Sequence, residues 1–395
     1  VTNHINLPAT TYVDTPQGLA AAVAAIGQAP VVGFDTEFVG ESTYEPQLCL
    51  LQVSTSDGIW VIDPLSGIDL RGFWAVLTEP GREVVALAAR QELLFCLHYA
   101  GRTPSAVFDP QLAAGLVGYG YPLSHTNLVL RVLDVRVPSG ETFTDWRKRP
   151  LTPSQLEYAA ADVQYLLTIR ERLLALAQSM ARSDWMTDEN ARLVEKVVQS
   201  EQEERWWRVS GAMSLNRRGL AVLRELWRWR EQAARTADVP VRRILGDDIM
   251  VEIAKRSPKT VPDLFALRGL DRMRKAGPEL VAAVQTGLRV PDQDLPQLKR
   301  RDDPPQVAVL GHLVSVVAGG LAAQHQVDPA LLATTADLQD LVRWRLGLGG
   351  EERPAILDGW RGDILGQPLL DLLAGKSALW VADAQAANPL RIGPR

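Results

Sequence analysis

The sequence predicts an α/β domain followed by two all-helical segments. Three observations carry that expectation. Short apolar runs alternate with helix-like stretches over residues 13–180, the chain after Met180 turns strand-poor, and a Pro/Asp-rich break at 290–305 divides this strand-poor part in two. At 395 residues the chain exceeds one ordinary domain. Its 46% hydrophobic and 23% charged content is that of a soluble globular protein.

The apolar runs at 31–39, 48–53 and 59–62 are separated by turn-rich pieces and read as three adjacent strands. A fourth strand is expected at 83–88, running into a helix at 91–99. A short strand around Val107 leads to helical stretches near Leu112 and Leu128. Thr152-Pro153-Ser154-Gln155 is a helix start: Thr152 caps, Pro153 suits the first position, and Gln155 completes a capping box. That helix is expected to reach about Gln178. Residues 188–208 read as a connecting helix, and 214–289 and 305–383 as wholly helical.

No basic stretch followed by an apolar run opens the chain, so no signal peptide is expected. No run approaches the roughly 18 uninterrupted apolar residues of a membrane span. Cys49 and Cys96 sit in apolar runs and are expected as buried, reduced thiols of a cytoplasmic protein. A zinc site would need more Cys, or better-spaced His among the five present. The net charge of −5 alone argues against nucleic acid. Its distribution argues otherwise: residues 205–275 hold 17 Lys or Arg against 8 Asp or Glu, a surplus of nine, leaving −14 for the remainder.

Two pairs of residues point to chemistry. In Val31–Val39, Asp35 and Glu37 are two apart and share one strand face, with Phe34 and Phe38 on the other. Burying both carboxylates costs several kcal/mol unless something positive compensates, and a divalent cation does so directly. Tyr158 and Asp162 share a helical face, separated by three alanines small enough to let that helix lie against a sheet. Either pair alone reads as readily as a solvated surface. Together they describe a pocket of hard oxygen ligands suited to Mg²⁺ or Mn²⁺.

Several ordered segments over residues 25–178 resemble the ribonuclease D family, within the DEDD exonucleases of the tyrosine subtype. They are Phe34-Asp35-Thr36-Glu37-Phe38, Pro46-Gln47-Leu48 through Gln52, and Phe108-Asp109-Pro110-Gln111. Asp145-Trp146, Arg149-Pro150-Leu151 and Glu157-Tyr158-Ala159-Ala160-Ala161-Asp162-Val163 complete the set. The resemblance implies an RNase H-like 3′–5′ exonuclease fold at 1–180 and hydrolysis with two divalent ions. Asp35, Glu37 and Asp162 would ligate the first ion, Asp35 would bridge to the second, and Tyr158 would hold the attacking water. The family's fourth acid, normally Asp, falls at Glu92, which keeps the charge on a longer arm. Five residues earlier the family often has His, and here stands Leu87.

Beyond a connecting helix at 181–213, residues 214–290 resemble the HRDC domain. The resemblance rests on Leu220-Ala221-Val222-Leu223-Arg224-Glu225-Leu226-Trp227-Arg228-Trp229-Arg230 and Val239-Pro240-Val241-Arg242-Arg243-Ile244-Leu245. Residues 305–385 resemble a second, diverged HRDC-like domain, most clearly at Asp358-Gly359-Trp360-Arg361. Its balance is acidic, so packing on the catalytic body is expected of it. Phe38, Arg217, Arg218, Arg224, Arg228, Arg242 and Arg243 are the expected nucleic-acid contacts, phosphate contacts positioning RNA without reading its sequence. The implied function is a 3′→5′ exoribonuclease acting as a monomer, off the membrane, on single-stranded 3′ ends of structured RNA such as tRNA precursors. The competing readings are a DNA 3′–5′ exonuclease and a nucleic-acid-binding protein weakened in catalysis by Glu92. The chain has no G-x-x-x-x-G-K-[ST] motor motif.

Overall fold

The computed structural model describes residues 9–137, 144–298, 302–348, 352–386 and 388–395. The opening Val-Thr-Asn-His-Ile-Asn, where no leader is expected, and positions 299–301 of the expected linker lie outside them. The chain divides into two compact units. One holds the chain up to Glu37, Cys49–Ser200 and Asp303–Arg395; the other holds Phe38–Leu48 and Glu201–Asp302.

The first unit is built on β1 (Thr10–Val13), α1 (Pro16–Gln28), β2 (Val31–Val39), β3 (Gln47–Ser54), β4 (Ile59–Ile62), α2 (Arg71–Leu77), β5 (Glu83–Val85), α3 (Arg90–Ala100) and β6 (Ala106–Phe108). There follow α4 (Pro110–Leu116), α5 (His125–Leu133), α6 (Pro153–Gln164), α7 (Leu166–Ser179) and α8 (Ser183–Gln202). The strands form one mixed sheet in the order β1-β4-β3-β2-β5-β6. β1 runs parallel to β4, β5 parallel to β2 and β6, and β3 antiparallel to β4. β2 and β3 are as expected to within a residue. β1, α1 and α2 were not foreseen, and the predicted helix to Gln178 is two helices meeting at Tyr165. Both cysteines are buried and form no disulfide.

The second unit carries α9 (Arg217–Ala237), α10 (Val241–Ile244), α11 (Asp247–Arg256), α12 (Val261–Phe265) and α13 (Gly277–Leu288). Leu223 and Leu226 of α9 are fully buried, and Trp227 and Trp229 pack against the same core. Gly287 of α13 is required by the closeness of α9, because a Cβ there would meet Val222 Cα at 2.5 Å. Phe38–Leu48 belongs to this unit through Tyr44. Its hydroxyl donates to Glu231 at 2.9 Å, its amide to Asp238 at 3.1 Å, and Arg235 lies over its ring.

The chain after Asp303 returns to the first unit with α14 (Pro305–Gln324), α15 (Pro329–Leu332), α16 (Thr335–Arg345), α17 (Gly359–Leu373), β7 (Ser377–Val381) and β8 (Leu390–Pro394). The expectation of an all-helical segment needs correction, because β7 and β8 form an antiparallel hairpin. No run of about 18 uninterrupted apolar residues occurs in the chain, but a mean hydropathy can still be high across a helix broken by a few polar residues. Among the described residues one helix, α14, has the length and a mean hydropathy of 1.7 that would allow a membrane crossing. In the fold its Val314, Val317 and Leu321 are buried, and it packs against α16 and α17.

This C-terminal segment is fastened to α8. Glu189 accepts from Trp360 Nε1 at 3.0 Å and from both terminal nitrogens of Arg361, and Trp360 stacks on Trp185 at 4.9 Å. Arg182 donates to the carbonyls of Leu116, His325 and Gln326. Removing Arg361 would leave Glu189 buried with its main counter-charge gone. Arg361→Ala is expected to destabilise the protein by about 3 kcal/mol, read as a lowered urea midpoint; an unchanged midpoint would mean the clamp contributes nothing.

Candidate active site

Gly33, Asp35 and Glu37 alternate onto one face of β2. Gly33 has no side chain for a steric reason: a Cβ there would meet Ser54 Oγ at 2.3 Å and Leu166 Cβ at 3.3 Å. The junction of α6 and α7 can therefore press on the strand just before Asp35. Ser54 Oγ donates to Val163 O at 2.8 Å, tying β3 to the end of α6. The start of α6 is fixed by the expected capping box: Thr152 Oγ1 accepts from Gln155 N at 3.2 Å, and Gln155 Oε1 accepts from Thr152 N at 2.8 Å. Ala159, Ala160 and Val163 turn inward, leaving Tyr158 and Asp162 one turn apart on the face toward β2. Trp146 packs on the Tyr158 ring at 6.0 Å, and Arg149 anchors its own segment by two 2.6 Å bonds to Asp63. A cavity of about 200 Å³ results, lined by Asp35, Glu37, Leu87, His125, Tyr158, Asp162 and Leu166.

Burial dominates its electrostatics. It raises Asp35 well above the ordinary carboxylate range against an opposing bond from the Thr36 amide. Glu37 is pushed up to about 9, first by burial and then by the charges of Asp35, Asp162 and Glu92. Asp162 is raised by burial and Asp35, against a bond from the Tyr158 hydroxyl. Tyr158 itself is raised, by burial and then by these acids, so it keeps its proton. His125 is lowered to about 4 by burial, so it brings no positive charge. Among the described lining residues none is Lys or Arg. Hard oxygen donors of one sign in a low-dielectric cavity are the chemistry a divalent cation fits. Among the described residues no three His, Cys, Asp or Glu side chains are drawn up to close a coordination shell. The fit lies in the cavity's charge and donor set, not in a finished shell.

Glu92 is not among the residues that line this cavity, though its charge interacts with Asp35 and Glu37. It is buried in the first turn of α3, and its Oε1 accepts from Thr36 Oγ1 at 2.8 Å. That bond ties the longer arm to β2 at Thr36, between Asp35 and Glu37 in the chain. Burial and the charge of Asp35 both raise Glu92. The turn into α3 is fixed by Asp109, whose carboxylate accepts from the amides of Ala88 (3.1 Å), Ala89 (3.2 Å) and Gln111 (2.8 Å). Ala88 holds a φ of +54° there. The Asp109 amide in turn donates to Asn190 Oδ1 at 2.8 Å.

The expected nucleic-acid contacts are unequal. Arg217 donates to the carbonyls of Asp292 and Leu295, Arg218 to those of Leu288 and Val290 and to the Asp292 carboxylate. Arg228 is bound by Glu204 and Glu225, and Arg224 lies 3.2 Å from Glu225. Arg242 and Arg243 stand exposed on α10, and Phe38 is 37% exposed. The sequence alone did not single out Thr36 or His125. Thr36 stands inside the Phe34–Phe38 motif, and strand alternation could have separated it from its neighbours. A lone histidine after a capping serine carries no such signal.

Carboxylates raised by burial make the metal-free protein pH-sensitive. The folded state holds a proton on Glu37 that the unfolded chain releases near its ordinary value of 4.5. Stability is therefore greatest below that value and falls as pH rises toward about 9. Glu37→Gln is expected to stabilise the metal-free protein by about 1–2 kcal/mol at pH 8, with the gain vanishing near pH 4. Thermal unfolding in EDTA at both pH values measures it; an equal effect at both would refute the cause.

A family profile described as 3′-5′ exonuclease matches residues 10–177, and one for the HRDC domain matches 219–284. Ribonuclease D of Gluconacetobacter diazotrophicus is 35% identical over 385 residues, 96% of this chain and 97% of that protein. Ribonuclease D of Nitrobacter hamburgensis is 34% identical over 93% of this chain and 96% of its own. The crystal structure of Escherichia coli RNase D, described as an exoribonuclease involved in structured RNA processing, superposes with a TM-score of 0.80. That match is 28% identical and covers 93% of this chain and 99% of that one. With the acid-lined cavity on an exonuclease sheet and near-full-length relatives of one kind, the chain belongs to the ribonuclease D family of 3′→5′ exoribonucleases, whose wider group depends on divalent metal.

Proposed function

We propose that this exoribonuclease trims the 3′ ends of structured RNAs, with tRNA precursors as the substrate class, and releases nucleoside 5′-monophosphates. The carrying observation is the cavity in which Asp35, Glu37, Tyr158 and Asp162 meet with no fixed positive charge. The description of the E. coli relative as an exoribonuclease involved in structured RNA processing supports structured RNA as the substrate. Asp35, Glu37 and Asp162 would hold one divalent ion, and Asp35, with Glu92 close enough to act on it, a second; Mg²⁺ and Mn²⁺ suit such oxygens. Bound there, two such ions would acidify the attacking water and stabilise the attacking and leaving oxygens. Tyr158 keeps its proton on Oη, so its part is to orient the water, not to deprotonate it.

In this reading residues 1–180 are the exonuclease domain, 181–213 the connection, 214–290 the HRDC domain and 305–385 a second, diverged HRDC-like domain. The protein acts as a cytoplasmic monomer on single-stranded 3′ ends. Phe38, Arg242 and Arg243 are the exposed nucleic-acid contacts. Arg217, Arg218, Arg224 and Arg228 hold protein carbonyls and carboxylates first and serve phosphate through what remains.

Mononucleotide release from a 3′-tailed RNA in Mg²⁺ or Mn²⁺, beside DNA of the same sequence, tests the function. Asp35→Asn is expected to lower release by at least about 100-fold, the upper end of what losing even an outer-shell partner of a metal costs, while RNA binding persists. Faster release from DNA would favour the DNA-exonuclease reading, and residual release unchanged by Asp35→Asn would refute the assignment. Glu92→Asp shortens the arm that reaches Thr36 and strands a buried hydroxyl, a cost of about 1–3 kcal/mol. It is expected to slow the enzyme; a large gain in rate would show that Glu92 handicaps it.

A further inference from the structure

His125 lies outside every motif that carries the family resemblance, yet its ring lines the cavity with Asp35, Glu37, Tyr158 and Asp162. Ser124 caps α5 by accepting from Asn127 N at 3.4 Å, which places His125 at the first helical position. From there Nδ1 stands 3.5 Å from Asp162 Oδ1, and Nε2 is buried with no hydrogen-bond partner. These two environments decide the tautomer. A proton on Nε2 would bury an unsatisfied N–H and turn the Nδ1 lone pair on a carboxylate oxygen. A proton on Nδ1 gives Asp162 a donor instead. At 3.5 Å the contact is a long, weak hydrogen bond, so the ring orients the carboxylate without neutralising it. Leu87, where the family often has His, lines the same cavity, so the imidazole found here comes from α5.

We propose that His125 is a positioning residue for Asp162, its Nδ1–H fixing the carboxylate's orientation toward a divalent cation. The inference rests on the metal-site reading of the proposed function. Carboxylates that hold metal are themselves held by hydrogen bonds, and losing such an outer partner costs about 10–100-fold in metal affinity.

Calorimetric titration of the full-length protein with Mn²⁺ alone tests this without recourse to activity. His125→Phe fills the space with no nitrogen, whereas the amide nitrogen of His125→Asn can stand where Nδ1 stood. The expected result is Mn²⁺ binding weakened about 10–100-fold in His125→Phe and largely recovered in His125→Asn. A packing role would favour the phenyl over the amide and reverse that order. Wild-type affinity in His125→Phe, or no recovery in His125→Asn, would overturn the proposal. Should the Phe variant not fold, His125→Gln replaces it: its amide reaches the place of Nε2 and not that of Nδ1, and is expected to bind weakly. Asp35→Asn separates the two levels of inference. Loss of Mn²⁺ there with tight binding in His125→Phe sinks the role of His125 alone, while tight binding in Asp35→Asn sinks the metal site and His125 with it.

Discussion

Mutual repulsion among buried carboxylates is the constraint around which the first unit is arranged. Asp35, Glu37 and Asp162 line one cavity, Glu92 lies within reach of their field, and no basic side chain among the described lining residues offsets them. Left to relax, such groups would turn toward water, since burying each charge costs several kcal/mol. They stay because each sits on backbone that cannot move. Asp35 and Glu37 belong to a strand hydrogen-bonded on both sides, next to a glycine with α7 pressed against it. Asp162 rides on a helix closed at one end by a capping box and tied at the other to Ser54. The destabilisation that results is the form in which the fold stores affinity for a cation.

Glu92 obeys the same constraint differently. Its carboxyl adds a fourth acid to the field of the other three. The hydroxyl of Thr36 gives its buried carboxyl a hydrogen-bond partner, which opposes the upward push of burial and of Asp35. The charge of Glu92 still acts on Asp35 and Glu37. The substitution of Glu for the usual Asp is thus matched by a partner already present in the Asp35-Thr36-Glu37 segment. That argues for an altered second-ion environment in a working enzyme over a ruined one.

Much of this was legible in the sequence where the signal was local. The period of two in β2 placed Asp35 and Glu37 together, and Thr152-Pro153-Ser154-Gln155 fixed where α6 begins. The three alanines before Asp162 told how closely that helix would lie. Signals failed where partners are distant in the chain. Nothing local links Thr36 to Glu92, His125 to Asp162, or Arg218 to Asp292, and the surplus of positive charge could not say which arginines were already bonded. The hairpin of β7 and β8 was missed because its strands are only five residues each and β8 carries Arg391, Gly393 and Pro394. The mean hydropathy of α14 does not show as an unbroken apolar run because His312 and Ser315 interrupt it.

The C-terminal segment resembles an appendage in sequence but not in its bonding. Trp360 and Arg361 fix Glu189 on α8, and the next residue, Asn190, accepts from the amide of Asp109. Asp109 holds the amides of Ala88 and Ala89, the turn from which Glu92 projects one helical step later. Ala88 occupies a left-handed conformation that costs a non-glycine residue about 1–2 kcal/mol, and two carboxylate–amide bonds at that turn offset it. Spatial continuity alone does not establish energetic coupling. Yet the Trp360–Glu189, Asp109–Asn190 and Ala89–Asp109 bonds along this route are buried. Four backbone amides favour the ionised Asp109 carboxylate against the burial that pushes it up to about 6. If Asn190 shifted with α8, the amide it holds and the turn beyond would shift with it. Hydrogen bonds thus link Trp360 and Arg361, through Glu189 and Asn190 of α8, to Asp109 and the turn before Glu92.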